Sequence, residues 1–471
     1  MKIRTICALS AVLIAIAAAV VFAEHGENLK IPNLFPFPDS SGVVETFSSN
    51  GSIDLSNPFF RDLGTNGRAC VSCHLPDQGW SIAADRVQLR FHLTAGKDPI
   101  FRTNDGSNCD HNIDTSTLAG RRQAYSLLTS RGLIRIAIDV PAGAEFEVAD
   151  VNNPYGCNEK GTLSMYRRPL PSTNLRALSA VMWDGRESTP PSTEKITFAT
   201  NPSDLLFDLG HQSVDATLGH AQARVPPTAQ QQREIVDFEM GLSTAQAFDN
   251  KAGNLDKHGA MGGPVQLARQ KFFVGINDPL GGNPFGTAFT PLVFDVFQSW
   301  SNLDDDDARG AAARAAIARG ERLFNSKPID ITGVAGLNDD LGVPHIAGTC
   351  GTCHDSPNIG NHSLPVPLNI GVGDLNSPLD VSYLPVITLR NKTTRQIVQT
   401  TDPGRALISG KWKDIGRLKG PILRGLASRA PYFHNGSAKT LADAVNFYNG
   451  RFNMDLTAQD KADLVAFLSS L

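Results

Sequence analysis

The chain has 471 residues, enough for two or three domains, and 41% of them are hydrophobic. Its 43 Lys and Arg stand against 47 Asp and Glu, a formal charge of −4 that gives no basic footprint for nucleic acid. Its seven cysteines are few enough to be placed one by one.

Lys2 and Arg4 precede an apolar run from Ile6 to Val21, and Val21-Phe22-Ala23 offers the small residues of a cleavage site. Residues 1–23 read as a secretory signal peptide, whose removal takes Cys7 with it. No other run is long enough to cross a bilayer, so no membrane span is expected after cleavage and the expected compartment is the bacterial periplasm.

Residues 24–56, rich in Pro, Ser and Asn, read as an extended arm. Cys70-Val71-Ser72-Cys73-His74 follows, and the spacing returns at Cys350-Gly351-Thr352-Cys353-His354. Cys-x-x-Cys-His is the attachment signature of a c-type haem. Residues i, i+3 and i+4 share one face of a helical turn, so two thiols bond the vinyl groups of one porphyrin while the imidazole reaches its iron. A redox Cys pair or half a zinc site is the alternative, but no further Cys-x-x-Cys completes a zinc site. Two covalent haems are expected, with His74 and His354 as iron ligands.

Residues 93–170 lack helical periodicity and include the β-rich run Leu133-Ile134-Arg135-Ile136-Ala137-Ile138. They read as a loop-rich insertion pinned by Cys109 and Cys157, whose disulfide suits an oxidising compartment. A helical pattern at Leu175, Leu178, Val181 and Met182 stops at Trp183-Asp184-Gly185-Arg186, and a helix is expected from Gln230 to Leu242. Residues 262–300, rich in Gly, Pro and Phe, are expected to wrap a core or line a cavity. Four aspartates at 304–307 read as a solvated linker before a helix over 308–325. Gly320 would let that helix cross another closely. The last helix is capped by Thr457 with Asp460 behind it, and carries the stripe Leu464, Phe467, Leu468, Leu471. This second haem segment has the parts of a small cytochrome c domain. Phe59-Phe60 before the first motif echoes Leu323-Phe324 before the second, as a divergent duplication would.

The two haem motifs, Trp183-Asp184-Gly185-Arg186 between them, and Leu423-Arg424-Gly425 through Ala430-Pro431-Tyr432-Phe433-His434-Asn435-Gly436-Ser437 resemble the bacterial di-haem cytochrome c peroxidase and MauG family. The likeness covers most of 57–90, 171–205 and 309–471. It implies a mainly α fold in which two cytochrome c-like haem domains face each other. Here these would be 24–308, bearing the insertion, and 309–471. It assigns reaction with peroxide to the haem at Cys70 and Cys73, and electron exchange to the haem at Cys350 and Cys353. Trp183 stands where the family places an aromatic residue between the haems, and Arg186 where it would pair a propionate. Asn201-Pro202-Ser203-Asp204 parallels a family stretch that carries an acid, so Asp204 is the expected catalytic acid, with His211 and His220 as rivals. The family binds calcium between its haems, but Arg429 replaces a small hydroxyl residue there.

The family's second haem often takes a Met fourteen residues after the His of Pro-Tyr-Phe-His; counting from His434 gives Tyr448. Leu441, Ala444, Val445 and Tyr448 share one helical face, so Tyr448 is expected to point inward, either as a hydrogen-bonded core residue or as a ligand. MauG-like members use a Tyr at this place; Met454 is the alternative ligand. Tyrosinate favours ferric iron, whereas a thioether raises the potential.

The resemblance implies a periplasmic oxidoreductase that reduces hydrogen peroxide, paired with a small redox protein donor or an oxidisable substrate. A MauG-like or oxygenase-type oxidation of a protein or organic substrate is the variant reading. An electron-transfer cytochrome, with His92 or His111 closing the first haem, is the reading from another class.

Overall fold

The computed structural model describes residues 29–157, 161–189, 198–303 and 308–471. The expected signal peptide and the acidic run at 304–307 lie outside the described residues.

The second haem segment is built on two crossed helices, Ala308–Ser326 and Ala458–Ser469. The crossing requires Gly320, because a Cβ there would lie 2.0 Å from the carbonyl oxygen of Asp463. The terminal helix starts at a Thr457–Asp460 capping box, satisfying backbone N–H groups that a helix start leaves unpaired. Its Leu464, Phe467 and Leu471 are buried in one core with Ile317, Phe324 and Val445. Each such side chain contributes about 1.5–3 kcal/mol by leaving water. The Phe-rich stretch wraps this core, as its composition suggests: Phe294, Phe297 and Trp300 are buried in it.

The mainly α expectation is corrected by the structure, which is 30% helix and 18% strand in several small sheets, a mixed α/β architecture. The extended arm supplies one reason. Gly42–Ser48 alternates buried and half-buried residues and pairs antiparallel with Leu242–Asp249, so its partner lies in a distant part of the chain. The insertion supplies the other. Ile134–Asp139 pairs with Thr162–Arg167. Phe146–Asn152 pairs with Val386–Asn391, which carries Ile397–Thr400 on its far edge. One strand of the insertion is thus an edge of a sheet from the second half. Such strands exist by pairing rather than by local periodicity.

The insertion also holds the helices Leu118–Ala124 and Ser126–Arg131, packed with Ala84–Thr94 around Phe91, Phe101 and Tyr125. Cys109 and Cys157 form the expected disulfide with Cα atoms 5.6 Å apart, inside the usual range. The helix expected around Leu175–Met182 is instead a single tight turn, Leu175–Ala177. Asn174 and Met182 take φ values of 61° and 66°, and Val181 bridges back to Glu187, which folds the segment into a bend that presents Trp183. The helix expected at 230–242 spans Ala229–Met240, started by a Thr228–Gln231 capping box. Among the described residues no helix is long and apolar enough to cross a membrane.

Candidate functional site

The two Cys-x-x-Cys-His motifs adopt one geometry twice. Cys70–Ser72 and Cys350–Thr352 are short turns, and the backbone N–H groups of His74 and His354 donate to the Cys70 and Cys350 carbonyls, each at 3.1 Å. Ser72 Oγ accepts from the Ala69 N–H at 3.1 Å, and Thr352 Oγ1 from the Thr349 N–H at 3.0 Å. His74 Nδ1 lies 3.0 Å from the Trp80 carbonyl, and His354 Nδ1 lies 2.6 Å from the Gly360 carbonyl, the same offset along the chain. A carbonyl only accepts, so Nδ1 carries the proton and Nε2 is left as the ligating nitrogen. Burial pulls His74 down to about 4 and lowers His354 too, which keeps both imidazoles neutral. Phe59 stands 6.4 Å from His74 and Phe324 stands 6.0 Å from His354, between ring centroids. The Phe echo in the sequence is therefore a repeated contact.

Each motif opens onto its own cavity. Cys70, Cys73 and His74 line one with Leu175, Val181 and Leu209. Cys350, Cys353 and His354 line the other with Leu368, Tyr448 and Met454. None of the four thiols is in a disulfide. Burial pushes Cys70, Cys350 and Cys353 up to about 12, the opposite of the lowered value that a reactive redox thiolate needs. Free thiols, an oriented imidazole and an apolar cleft fit a covalent haem in each cavity.

One wall divides the cavities, and Arg168, Pro169, Trp183, Lys419, Pro421 and Arg429 line both. Trp183 is strapped into it: its Nε1 donates to the Arg168 carbonyl at 2.8 Å, and its carbonyl accepts from the Lys419 N–H at 2.7 Å. Asp184 beside it is fully buried and takes Arg167 at 2.5 Å and Arg186 at 3.0 Å. Burial opposes its charge, but Arg186 and Arg167 hold it at about 2. Arg167 also grips Asp402 with two bonds, at 2.7 and 2.8 Å. Arg186 lines the first cavity from this anchored position. Calcium does not fit the wall, because Arg168, Lys419 and Arg429 repel a divalent cation.

The acid–base residues expected from sequence separate. His220 lines the first cavity, with Nδ1 on Asp105, which is itself paired with Arg68. Asp204 does not line it. Its Oδ2 takes bonds from Thr200 Oγ1 at 3.1 Å and Asn201 Nδ2 at 2.7 Å, which closes the start of the Pro202–Gly219 helix. His211 bonds Glu187 at 2.6 Å and lies outside the cavity lining, and His92 and His111 are exposed and line neither cavity. Sequence reasoning missed Glu239, which lines the first cavity at 5% exposure with no partner for Oε2. Burial pushes it up to about 7. Its signal was a carboxylate on the buried Ile235–Phe238 face of a helix.

In the second cavity Tyr448 and Met454 both line the wall. The Tyr448 ring centroid is 6.4 Å from that of His354. Among the described residues its hydroxyl has no hydrogen-bond partner, and burial raises its pKa well above the ordinary phenol value. His434 also lines this cavity, buried, with Nε2 unbonded and 3.8 Å from Asp402.

Comparison with known proteins bears on this arrangement. Cytochrome-c peroxidase IdrP2 of Denitromonas iodatirespirans is 35% identical over 139 residues, 26% of this chain and 36% of that protein. The chain is related to the cytochrome-c peroxidases. Cytochrome c peroxidase Ccp of Escherichia coli (strain K12) is 39% identical over 75 residues, 16% of each chain. The chain thus spans about a third or less of the length of these relatives. A solved MauG-like protein associated with microbial copper homeostasis covers 88% of this chain and 86% of its own at 15% identity, with a TM-score of 0.38. No protein-family model matches.

Proposed function

We propose that the protein is a periplasmic di-haem c-type oxidoreductase that reduces hydrogen peroxide to water. The observation behind this reading is the single wall, holding Trp183, between two Cys-x-x-Cys-His cavities; the peroxidase relatives agree with it. Cys70 and Cys73 would hold one haem with His74 as ligand, and Cys350 and Cys353 the other with His354. When bound, the haems supply iron that reacts with peroxide at the first cavity and exchanges electrons with a redox-protein donor at the second.

The chain's own residues then divide the remaining work. Reducing one peroxide to two waters consumes two electrons and two protons. Among the side chains that line both cavities, Trp183 is the aromatic one through which electrons pass. His220 is the proton-handling group: Asp105 fixes its Nδ1, so Nε2 exchanges protons, and its partial exposure connects it to solvent. Asp204 keeps the helix start and takes no part in proton transfer. Arg186 offers a charge to a propionate in the first cavity.

A second reading is MauG-like oxidation of a protein or organic substrate. It is favoured by the unbonded phenol of Tyr448, which suits an anionic ligand that holds iron oxidised. Anaerobic peroxide titration, followed by absorption and EPR with and without a reduced cytochrome, tests both. Rapid peroxide consumption that requires the cytochrome supports the peroxidase. Oxidation that persists without a donor supports the second reading. Two purely low-spin irons indifferent to peroxide would identify an electron carrier and sink both.

A further inference from the structure

The dividing wall holds more positive charge than the protein around it neutralises. Arg168 and Arg424 are buried, and Lys419 and Arg429 line both cavities. None of the four makes an ion pair with a described residue within 4 Å. The nearby carboxylates are already engaged, since Asp184 and Asp402 are held by Arg167 and Arg186. Glu321, the acid nearest in charge to Arg424, is pushed up to about 8 by burial and accepts the Phe297 N–H at 2.9 Å.

Several donors are idle. Arg424 Nε and Nη1 and Arg429 Nε are buried with no hydrogen-bond partner. Arg168 and Arg429 do spend donors on carbonyls: Arg168 bonds the Arg131 and Arg429 carbonyls, and Arg429 bonds the Ile422 carbonyl at 2.7 Å. Those bonds fix the guanidinium planes without cancelling their charge. The cations also act on one another, for Arg429 lowers both Arg168 and Lys419 after burial has done so. A buried charge without a counter-charge is costly, and Arg168 and Arg424, buried beside the half-buried Lys419 and Arg429, suit anions supplied from the clefts.

We propose that Arg168, Lys419, Arg424 and Arg429 form a carboxylate-binding wall that would take propionate groups from both haems. The inference rests on the two-haem reading above. Arg424 lines only the first cavity, whereas Lys419 and Arg429 line both, so the wall has a private and a shared part. Its tethered cations replace any divalent ion between the haems.

The test is spectroelectrochemical titration of the holoprotein, with haem content measured by pyridine haemochrome in every sample. Removing a positive charge beside a haem stabilises its ferric state. Lys419→Met and Arg429→Met should therefore shift both midpoint potentials negative, Arg424→Met should shift only one, and Lys419→Arg should restore the wild-type values. A chelator should move neither potential. Unchanged potentials in Lys419→Met and Arg429→Met with two haems retained would overturn the wall, as would a chelator-dependent shift. Fewer than two haems in the wild type would strike the underlying reading instead. If the Met variants do not accumulate, resonance Raman of the wild type decides: propionate bending modes of strongly hydrogen-bonded carboxylates are expected in both haems, and modes of free propionates refute the proposal.

Discussion

Trp183 and His434 meet edge to face with ring centroids 6.1 Å apart, where the wall between the cavities joins the floor of the second. The tryptophan is held at both ends, by Arg168 and by Lys419, so its position is set by backbone rather than by loose packing. Trp183→Phe keeps an aromatic ring of smaller extent and loses the Nε1 bond. It should lower donor-dependent peroxide turnover by about tenfold or more, a barrier change of at least about 1.4 kcal/mol, with haem content intact. Stopped-flow exchange between the two irons measures it directly; equal rates in both proteins would make Trp183 a packing residue.

His220 and Asp204 make opposing predictions. His220→Ala should slow the reaction with peroxide by about 100-fold, the ordinary scale of one acid–base group. Asp204→Ala should leave that rate alone and lower the thermal midpoint, because its carboxylate serves the Pro202–Gly219 helix start. Neighbouring backbone and side-chain donors keep the Asp204 carboxyl below its usual value. The reverse pattern, a slow Asp204→Ala enzyme with a normal melting curve, would return the catalytic role to Asp204.

Tyr448 is expected to bind the iron held by His354. Tyr448→Phe removes the donor oxygen and keeps the ring, so the contacts with Phe433 and Phe452 survive. The low-spin EPR signal of that haem should disappear or change ligand, and Tyr448→Met should raise its potential, within the roughly 0.8 V that axial chemistry spans. If Tyr448→Phe leaves signal and potential untouched, Met454 is the residue to replace next, since it lines the same cavity.

What the sequence made legible follows from the range of the interactions involved. The haem motifs, the Thr457 cap and the Gly320 crossing depend on residues within a few positions or on one helical period, and each was readable. The Gly42–Ser48 strand was not, because its partner Leu242–Asp249 lies in another region of the chain. The Leu175–Met182 run carries helical spacing, but left-handed backbone at Asn174 and Met182 breaks it. The wall of cations was equally hidden. Arg168, Lys419 and Arg429 come from separate stretches, and their lack of counter-charges is a property of the folded wall alone.

The Cys109–Cys157 bridge closes a loop with a sequence separation of 48. Chain entropy gives such a loop about 4 kcal/mol, so a Cys109→Ser, Cys157→Ser double variant should unfold at distinctly lower denaturant. Both haems should remain, because neither cysteine lines a cavity. Alkylation of both thiols in the native, unreduced protein would remove the bridge from the account.

Glu239 provides a pH signature. Burial raises its carboxyl from 4.5 to about 7, so between those values the unfolded chain has released a proton that the folded chain still holds. Stability contributed by this group is therefore complete below about pH 4.5 and falls as pH rises through about 7, by on the order of 3 kcal/mol. Glu239→Gln stays neutral and keeps a hydrogen-bonding amide facing Ser172, so it should flatten that part of the profile and be the more stable protein at pH 8. Denaturant midpoints of the two holoproteins, taken every half unit across this window, give the difference. Parallel curves would mean that Glu239 is ionised in the folded state, with its unbonded oxygen neutralised by a partner from the cavity.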